Sequence, residues 1–181
     1  PVMGVSGFSQ MVEGLLRSSA PLLADDLEGG PRLASAVSCS CGVLDSAVTK
    51  AIGAQIIEEA LGQTQSPGWL FVMGRDNEAL IKGEALLQGF EGGRLQVYVI
   101  GADSARRLLG RSNVTGVSAR GGQVSEHDVL LLCTENQSYG FIGRKTDDGS
   151  SQAYHTVDWV VVLGLVDRLQ TTYQLQKELV C

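Results

Sequence analysis

Three observations predict an α/β domain: helix and strand patterns alternating through the first two-thirds of the chain, two apolar runs joined by a polar turn near its end, and a closing stripe at helical spacing. Alternation of the first kind covers a sheet with helices and makes part of it parallel. The joined runs add antiparallel strands. The expectation is a mixed central sheet of about six strands, flanked by helices and ending in a long C-terminal helix. A chain of 181 residues has the length of one domain. Residues 1–156 read as the α/β core with an N-terminal helix. Residues 157–181 read as a C-terminal helix, partly core and partly a dimerisation or signalling element.

The elements follow in order. Ser6 to Ser19 is an expected helix, with Phe8, Met11, Val12, Leu15 and Leu16 on one face and Ser6 as N-cap. Pro21 interrupts it, and Glu28-Gly29-Gly30-Pro31 is a loop. Residues 33–44 alternate as a strand. Asp45 or Ser46 then caps a helix through Val48, Ile52, Ile56 and Glu59, closed by Gly62. Trp69 to Met73 is a short apolar strand and Asn77 to Phe90 a helix ended by Glu91-Gly92-Gly93. Arg94 to Ile100 is the next strand, Asp103 or Ser104 to Leu109 a short helix, and Val114 to Ser118 a strand. Val129 to Thr134 and Tyr139 to Arg144 flank Glu135-Asn136-Gln137-Ser138 as a β-hairpin. Thr146 to Gln152 reads as a polar loop before the final helix.

Composition removes several function classes. A net charge of −6 argues against nucleic acid as a partner, because neutralising phosphates needs a surplus of Lys and Arg. The longest apolar run, Trp159 to Val166, covers eight residues, far short of the ~18 that span a membrane. The N-terminus has no basic flank before an apolar stretch, so a cytoplasmic protein is expected. Cys39 and Cys41 form a C-x-C pair, which is neither a zinc-ribbon nor a thioredoxin-like spacing. On a strand both thiols fall on one face, where they read as small core side chains. Cys133, inside an apolar run, reads as core.

Catalytic and metal-binding patterns do not emerge. Gly89, Gly92 and Gly93 precede a strand rather than open a helix, so they read as a helix terminator and not a phosphate loop. His127 stands beside Asp128, which would suit a general base, but no nucleophile lies at recognisable spacing and a solvated loop histidine is expected. The closing stripe, Val162, Leu165 or Val166, Leu169, Tyr173, Gln176 and Val180, recurs at three and four residues and outlasts what a sheet needs for cover. That predicts a homodimer through the C-terminal helix. At the root of that helix, Tyr154, His155 and Trp159 are expected to form a wall for a small ligand by stacking and one directed hydrogen bond.

The segments HDVLLLCTENQSYGFIGRK and AYHTVDWVVVLGLVDRLQTTY resemble bacterial DICT-type sensory domains, found in diguanylate cyclases and two-component proteins. The stretch also resembles a phospholipase-D-like regulatory fold, without the H-x-K-x-x-x-x-D motif of its active members: neither His127 nor His155 has Lys two residues later. The resemblance implies a cytoplasmic sensory or regulatory domain that binds a small ligand or protein partner and transmits through its C-terminal helix. The alternatives are a non-catalytic dimerisation or scaffold domain, and an enzyme of unrecognised type for which His127, Asp128, Cys39 and Cys41 would matter first. No cofactor is indicated.

Overall fold

The computed structural model describes residues 39–44, 46–74, 81, 84–101, 108, 111–119, 127–147 and 150–175. In chain order they form β1 (Cys39–Leu44), α1 (Ser46–Gly62), β2 (Gly68–Met73), α2 (Glu84–Phe90), β3 (Leu95–Gly101), β4 (Val114–Ser118), β5 (His127–Thr134), β6 (Ser138–Lys145), β7 (Ser151–Thr156) and α3 (Trp159–Tyr173). The strands make one sheet of seven in the order β1-β7-β6-β5-β2-β3-β4. The β2-β3-β4 block is parallel. From β2 outward the other way, through β5, β6, β7 and β1, every pairing is antiparallel. The sheet is mixed, as the sequence predicts, with one strand more than expected.

Burial follows from strand position. All eight residues of β5 are buried, because it lies at the middle of the sheet with both faces covered. That explains why Val129 to Cys133 is apolar without a break rather than alternating. On one face, Ile52, Ile56, Ile57 and Ala60 of α1 and Leu87 and Phe90 of α2 join Leu70, Val72, Val97, Val99, Leu130 and Leu132. On the other, Val162, Leu165, Val166 and Leu169 of α3 join Phe71, Met73, Val129, Leu131, Ile142 and Tyr154. Each such side chain taken fully from water contributes roughly 1.5–3 kcal/mol. Among the described residues no helix is long and apolar enough to cross a membrane.

The extra strand is β7, in a segment whose first residues read as loop. Ser151-Gln152-Ala153-Tyr154-His155-Thr156 has almost none of the β-branched or aliphatic residues that mark strands. It is a strand because it lies between β1 and β6 and its backbone groups pair on both sides. At the ends of the chain, the expected helix Ser6 to Ser19 and residues 33–38 of the first strand lie outside the described residues.

The final helix is shorter than its stripe. Asp158 caps its start, the carboxylate accepting from the N–H groups of Val160 and Val161 at 2.9 and 3.4 Å. At its end Gln174 takes a left-handed conformation, φ 56°, and its N–H returns to the Gln170 carbonyl, an αL termination made without glycine. The stripe residues Val162, Leu165, Val166 and Leu169 are buried on the chain's own sheet, and Tyr173 packs beside them. Gln176 and Val180, the rest of the expected stripe, lie outside the described residues.

Candidate functional site

The sheet changes character at β2. It runs parallel to β3 and antiparallel to β5, so the carboxyl ends of β2, β3 and β4 share one edge with the amino end of β5. The chain also reverses there: after stepping outward from β2 to β4, it returns to the other side of β2 to form β5. In open α/β sheets, the space outside the carboxyl ends of the strands, where strand order reverses, is where ligands sit. The residues at this edge are Met73 ending β2 and Gly74 after it, Gly101 ending β3, Ser118 ending β4, and His127 and Asp128 opening β5.

Gly74 and Asp128 fit one another closely. Gly74 has φ +103°, and a Cβ there would lie 2.2 Å from Asp128 Oδ1, 2.8 Å from Asp128 Cα and 2.8 Å from the His127 carbonyl oxygen. Only glycine permits both the conformation and the approach. Asp128 faces the α1 side, its Cβ 3.9 Å from where a side chain on Gly143 would begin. The row across the sheet at that level is Gly42, Ala153, Gly143 and Asp128, with Gly74 beside it. Asp128 is therefore the one long side chain in a row of small ones, and it is 6% exposed. A carboxylate so placed accepts hydrogen bonds from amine, amide or hydroxyl donors.

His127 is also buried, at 7% exposure, and belongs to a strand rather than a solvated loop. Successive strand side chains point to opposite faces, so His127 lies on the α3 side and Asp128 on the α1 side. The two do not form an acid–base pair. Across from His127 in register is Arg144, whose Nη2 donates to Gln152 Oε1 at 2.9 Å. The end of α3 arrives at this edge as well. The Tyr173 hydroxyl donates to Met73 Sδ at 3.9 Å, and burial pushes its phenol pKa upward.

The alternation that separates His127 from Asp128 also separates the expected ligand wall. Tyr154 is buried among Ile142, Val166 and the other residues beneath α3. His155 lies on the α1 side, its ring 5.9 Å from that of Tyr139 and tilted by 31°. Trp159 opens α3 and is 37% exposed. The structure thus does not gather Tyr154 and His155 on one surface. Tyr139, which is not among the candidate residues of the sequence analysis, is 2% exposed. Its hydroxyl has no hydrogen-bond partner, and burial holds its pKa well above the usual phenol range.

The remaining polar groupings have structural explanations. A depression of about 420 Å³ is lined by Gln55, Glu58, Glu59, Gly62 and Gln63 at the end of α1. Beside it the β5–β6 turn is tied to the helix: Gln137 Nε2 donates to Glu59 Oε1 at 3.3 Å, and Thr134 Oγ1 donates to Gln63 Oε1 at 3.0 Å. Cys39 and Cys41 pair in register with Thr156 and Tyr154. Cys133 is a buried free thiol whose pKa burial raises to about 11, so it stays protonated near neutrality. No group of three His, Cys, Asp or Glu comes together to hold a metal ion among the described residues.

Two signals in the sequence pointed at the edge: a glycine directly after the apolar strand Trp69 to Met73, and an acid at the start of the most apolar strand, Val129 to Cys133. Only the pairing of β2 with β5 makes them neighbours. Compared with protein-family models, curated proteins and solved structures, the chain matches none.

Proposed function

We propose that this domain is a cytoplasmic sensory or regulatory module. A small ligand bearing a hydrogen-bond donor binds at the carboxyl-end edge beside Asp128, and α3 reports its presence. The observation that carries this reading is the contact between Tyr173 and Met73. It ties the last turn of α3 to the residue before Gly74, so a ligand that moves the β2 end also acts on α3. Such a ligand shifts α3 only by binding one of its positions more tightly than the other. The resemblance to DICT-type sensory domains supports the same reading, since the residues that carry it supply β5, β6, β7 and α3. A second copy of the chain is the proposed protein partner.

Native mass spectrometry of gently purified protein tests the reading. The wild-type chain is expected to carry an added mass that Asp128→Asn loses. Hydrogen exchange in the last turn of α3 is expected to change when that mass is stripped. A bare chain of 19.2 kDa, with α3 exchange unchanged by a concentrated small-molecule extract of cells, would leave the scaffold alternative in its place.

A further inference from the structure

Among the described residues the sheet has two outer strands, β1 and β4. An outer strand presents a row of backbone N–H and C=O groups ready to pair with another extended chain, and proteins blunt such rows with charge, proline, bulges or brevity. β4 is five residues long, with polar Thr115 and Ser118 at its exposed positions. Over its described residues β1 has no charge, proline or bulge. It pairs with β7 at all six positions in unbroken register, and Cys39-Ser40-Cys41-Gly42-Val43-Leu44 contains neither a charged residue nor proline. Val43 on this strand is 70% exposed, an apolar side chain standing in solvent.

We infer that β1 is an interface between two copies of the chain, which pair edge to edge and antiparallel about a two-fold axis. This rests on the proposal above that a second copy is the partner, and it places the contact on β1 rather than on the C-terminal helix. The described stripe of α3 is spent on the chain's own sheet. Two-fold symmetry makes the same patch meet itself, and each copy carries a net charge of −6. Self-contact is therefore favoured where charge is absent. Neither β1 nor its neighbour β7 contains a charged residue, so no like charges oppose one another across the axis. A six-residue edge is only about 20 Å long at the rise of a strand. That is small beside the ~800 Å² per partner of a standard stable interface, so the pair is expected to exchange in the micromolar range.

Sedimentation velocity on the full chain from about 1 to 100 µM, a span bracketing that range, tests it with three variants. Wild type is expected to dimerise. Val43→Lys should move the midpoint at least ten-fold to higher concentration, while Val43→Thr and Val160→Lys, the latter on the exposed first turn of α3, should leave it in place. A wild type that stays monomeric overturns both this inference and the proposed second-copy partner. A dimer that survives Val43→Lys and is lost in Val160→Lys overturns the β1 interface and leaves the partner reading standing. Where Val43→Lys does not fold, exchange of the β1 amides in wild type decides: protection must rise with concentration, and its constancy overturns the interface.

Discussion

The two halves of the sheet are assembled by different means. The parallel half, β2-β3-β4, joins strands that are not hairpin neighbours, and one buried polar group ties its elements together at one end. Asn113 Nδ2 donates to the carbonyls of Phe90 and Leu95 at 2.5 and 2.9 Å, tying the end of α2 to β3 and the start of β4. The antiparallel run β5-β6-β7 is built from short returns in which pairing and turn chemistry are local. The seam between the halves is the β2–β5 pair, and the candidate site lies at one end of it. Backbone pairing fixes the geometry along the seam, but at its open edge the fit of one glycine against one carboxylate does so.

The sharpest way to break the seam is therefore at its ends. Gly74→Val introduces a Cβ into Asp128 and a conformation that side chains rarely adopt, and it is expected to cost about 3 kcal/mol or more. Gly68→Ala at the other end meets the Cys133 carbonyl at 2.2 Å, but no positive φ adds to the clash. Thermal denaturation of both variants should place Gly74→Val lower. The reverse order would mean that Gly74 yields easily, and that the edge beside Asp128 is not rigidly built.

Next in size is the lock of the parallel half. Asn113→Ala removes its bonds to two buried carbonyls, leaving Phe90 O with the longer 3.4 Å bond from the Gly93 N–H, and is expected to cost about 2 kcal/mol. Its counterpart in the antiparallel half is Thr134, whose hydroxyl accepts from the N–H groups of Asn136 and Gln137 at 3.4 and 3.3 Å. Those two bonds are long, and the one that the hydroxyl donates to Gln63 Oε1 at 3.0 Å is partly solvated, so Thr134→Val should cost about half as much by the same accounting. Chemical denaturation midpoints compare the two directly. Equal costs would remove the contrast between a half tied by one buried polar group and a half held by local pairing.

The same contrast explains what was legible in the sequence. The hairpin was readable because apolar runs and a turn tetrapeptide lie next to one another. The core positions of β2, β3 and β5 were readable because central strands are apolar on both faces. β7 was not, since Ser151 to Thr156 owes its strand conformation to neighbours over a hundred residues upstream (β1) as well as to adjacent β6. The candidate edge is not legible as a site in the sequence: Tyr154, His155 and Trp159 are close in sequence, but strand alternation sends the first two to opposite faces. Gly74 and Asp128, over fifty residues apart in sequence, meet only through the β2–β5 register. From Val162 to Tyr173 the α3 stripe is legible as a stripe, yet spacing alone does not say whether it meets a partner or the chain's own sheet.

A smaller effect is expected at the start of α3. Asp158→Ala removes the carboxylate that accepts from Val160 and Val161 and should cost about 1 kcal/mol. Because α3 is packed from Val162 onward, the loss should appear as faster hydrogen exchange in its first turn and not in its last. Faster exchange at Tyr173 instead would show that the helix responds as one rigid unit from cap to edge, which would strengthen its use as a reporter.

Alkaline pH acts on the core beneath α3. The Cys133 thiol is raised from 9.0 to about 11 by burial, so the unfolded chain releases this proton at a lower pH than the folded one. The resulting stability is fully present below pH 9 and is lost as pH rises through about 11. The phenols of Tyr139 and Tyr173, also raised by burial, act in the same direction at higher pH. Melting temperatures should fall across that window in wild type and fall less steeply in Cys133→Ala. Parallel slopes would mean that the thiol ionises equally well in both states.

The smallest effect is expected at Trp159, and it separates the two ends of α3. The side chain is 37% exposed at the first position of the helix, and the buried residues of α3 begin at Val162. Trp159→Leu keeps apolar bulk and should change stability by no more than about 0.5 kcal/mol, the range of substitutions away from the core. If the ligand acts at the Asp128 edge, hydrogen exchange at the last turn of α3 should respond to it equally in wild type and in this variant, because the contact that carries the signal is Tyr173 on Met73. A variant of undiminished stability that has lost the response would move the ligand to the root of the helix, beside Trp159. A loss above about 1 kcal/mol would instead make the indole part of the core, and the exposed first turn of α3 would then be a packed surface in solution.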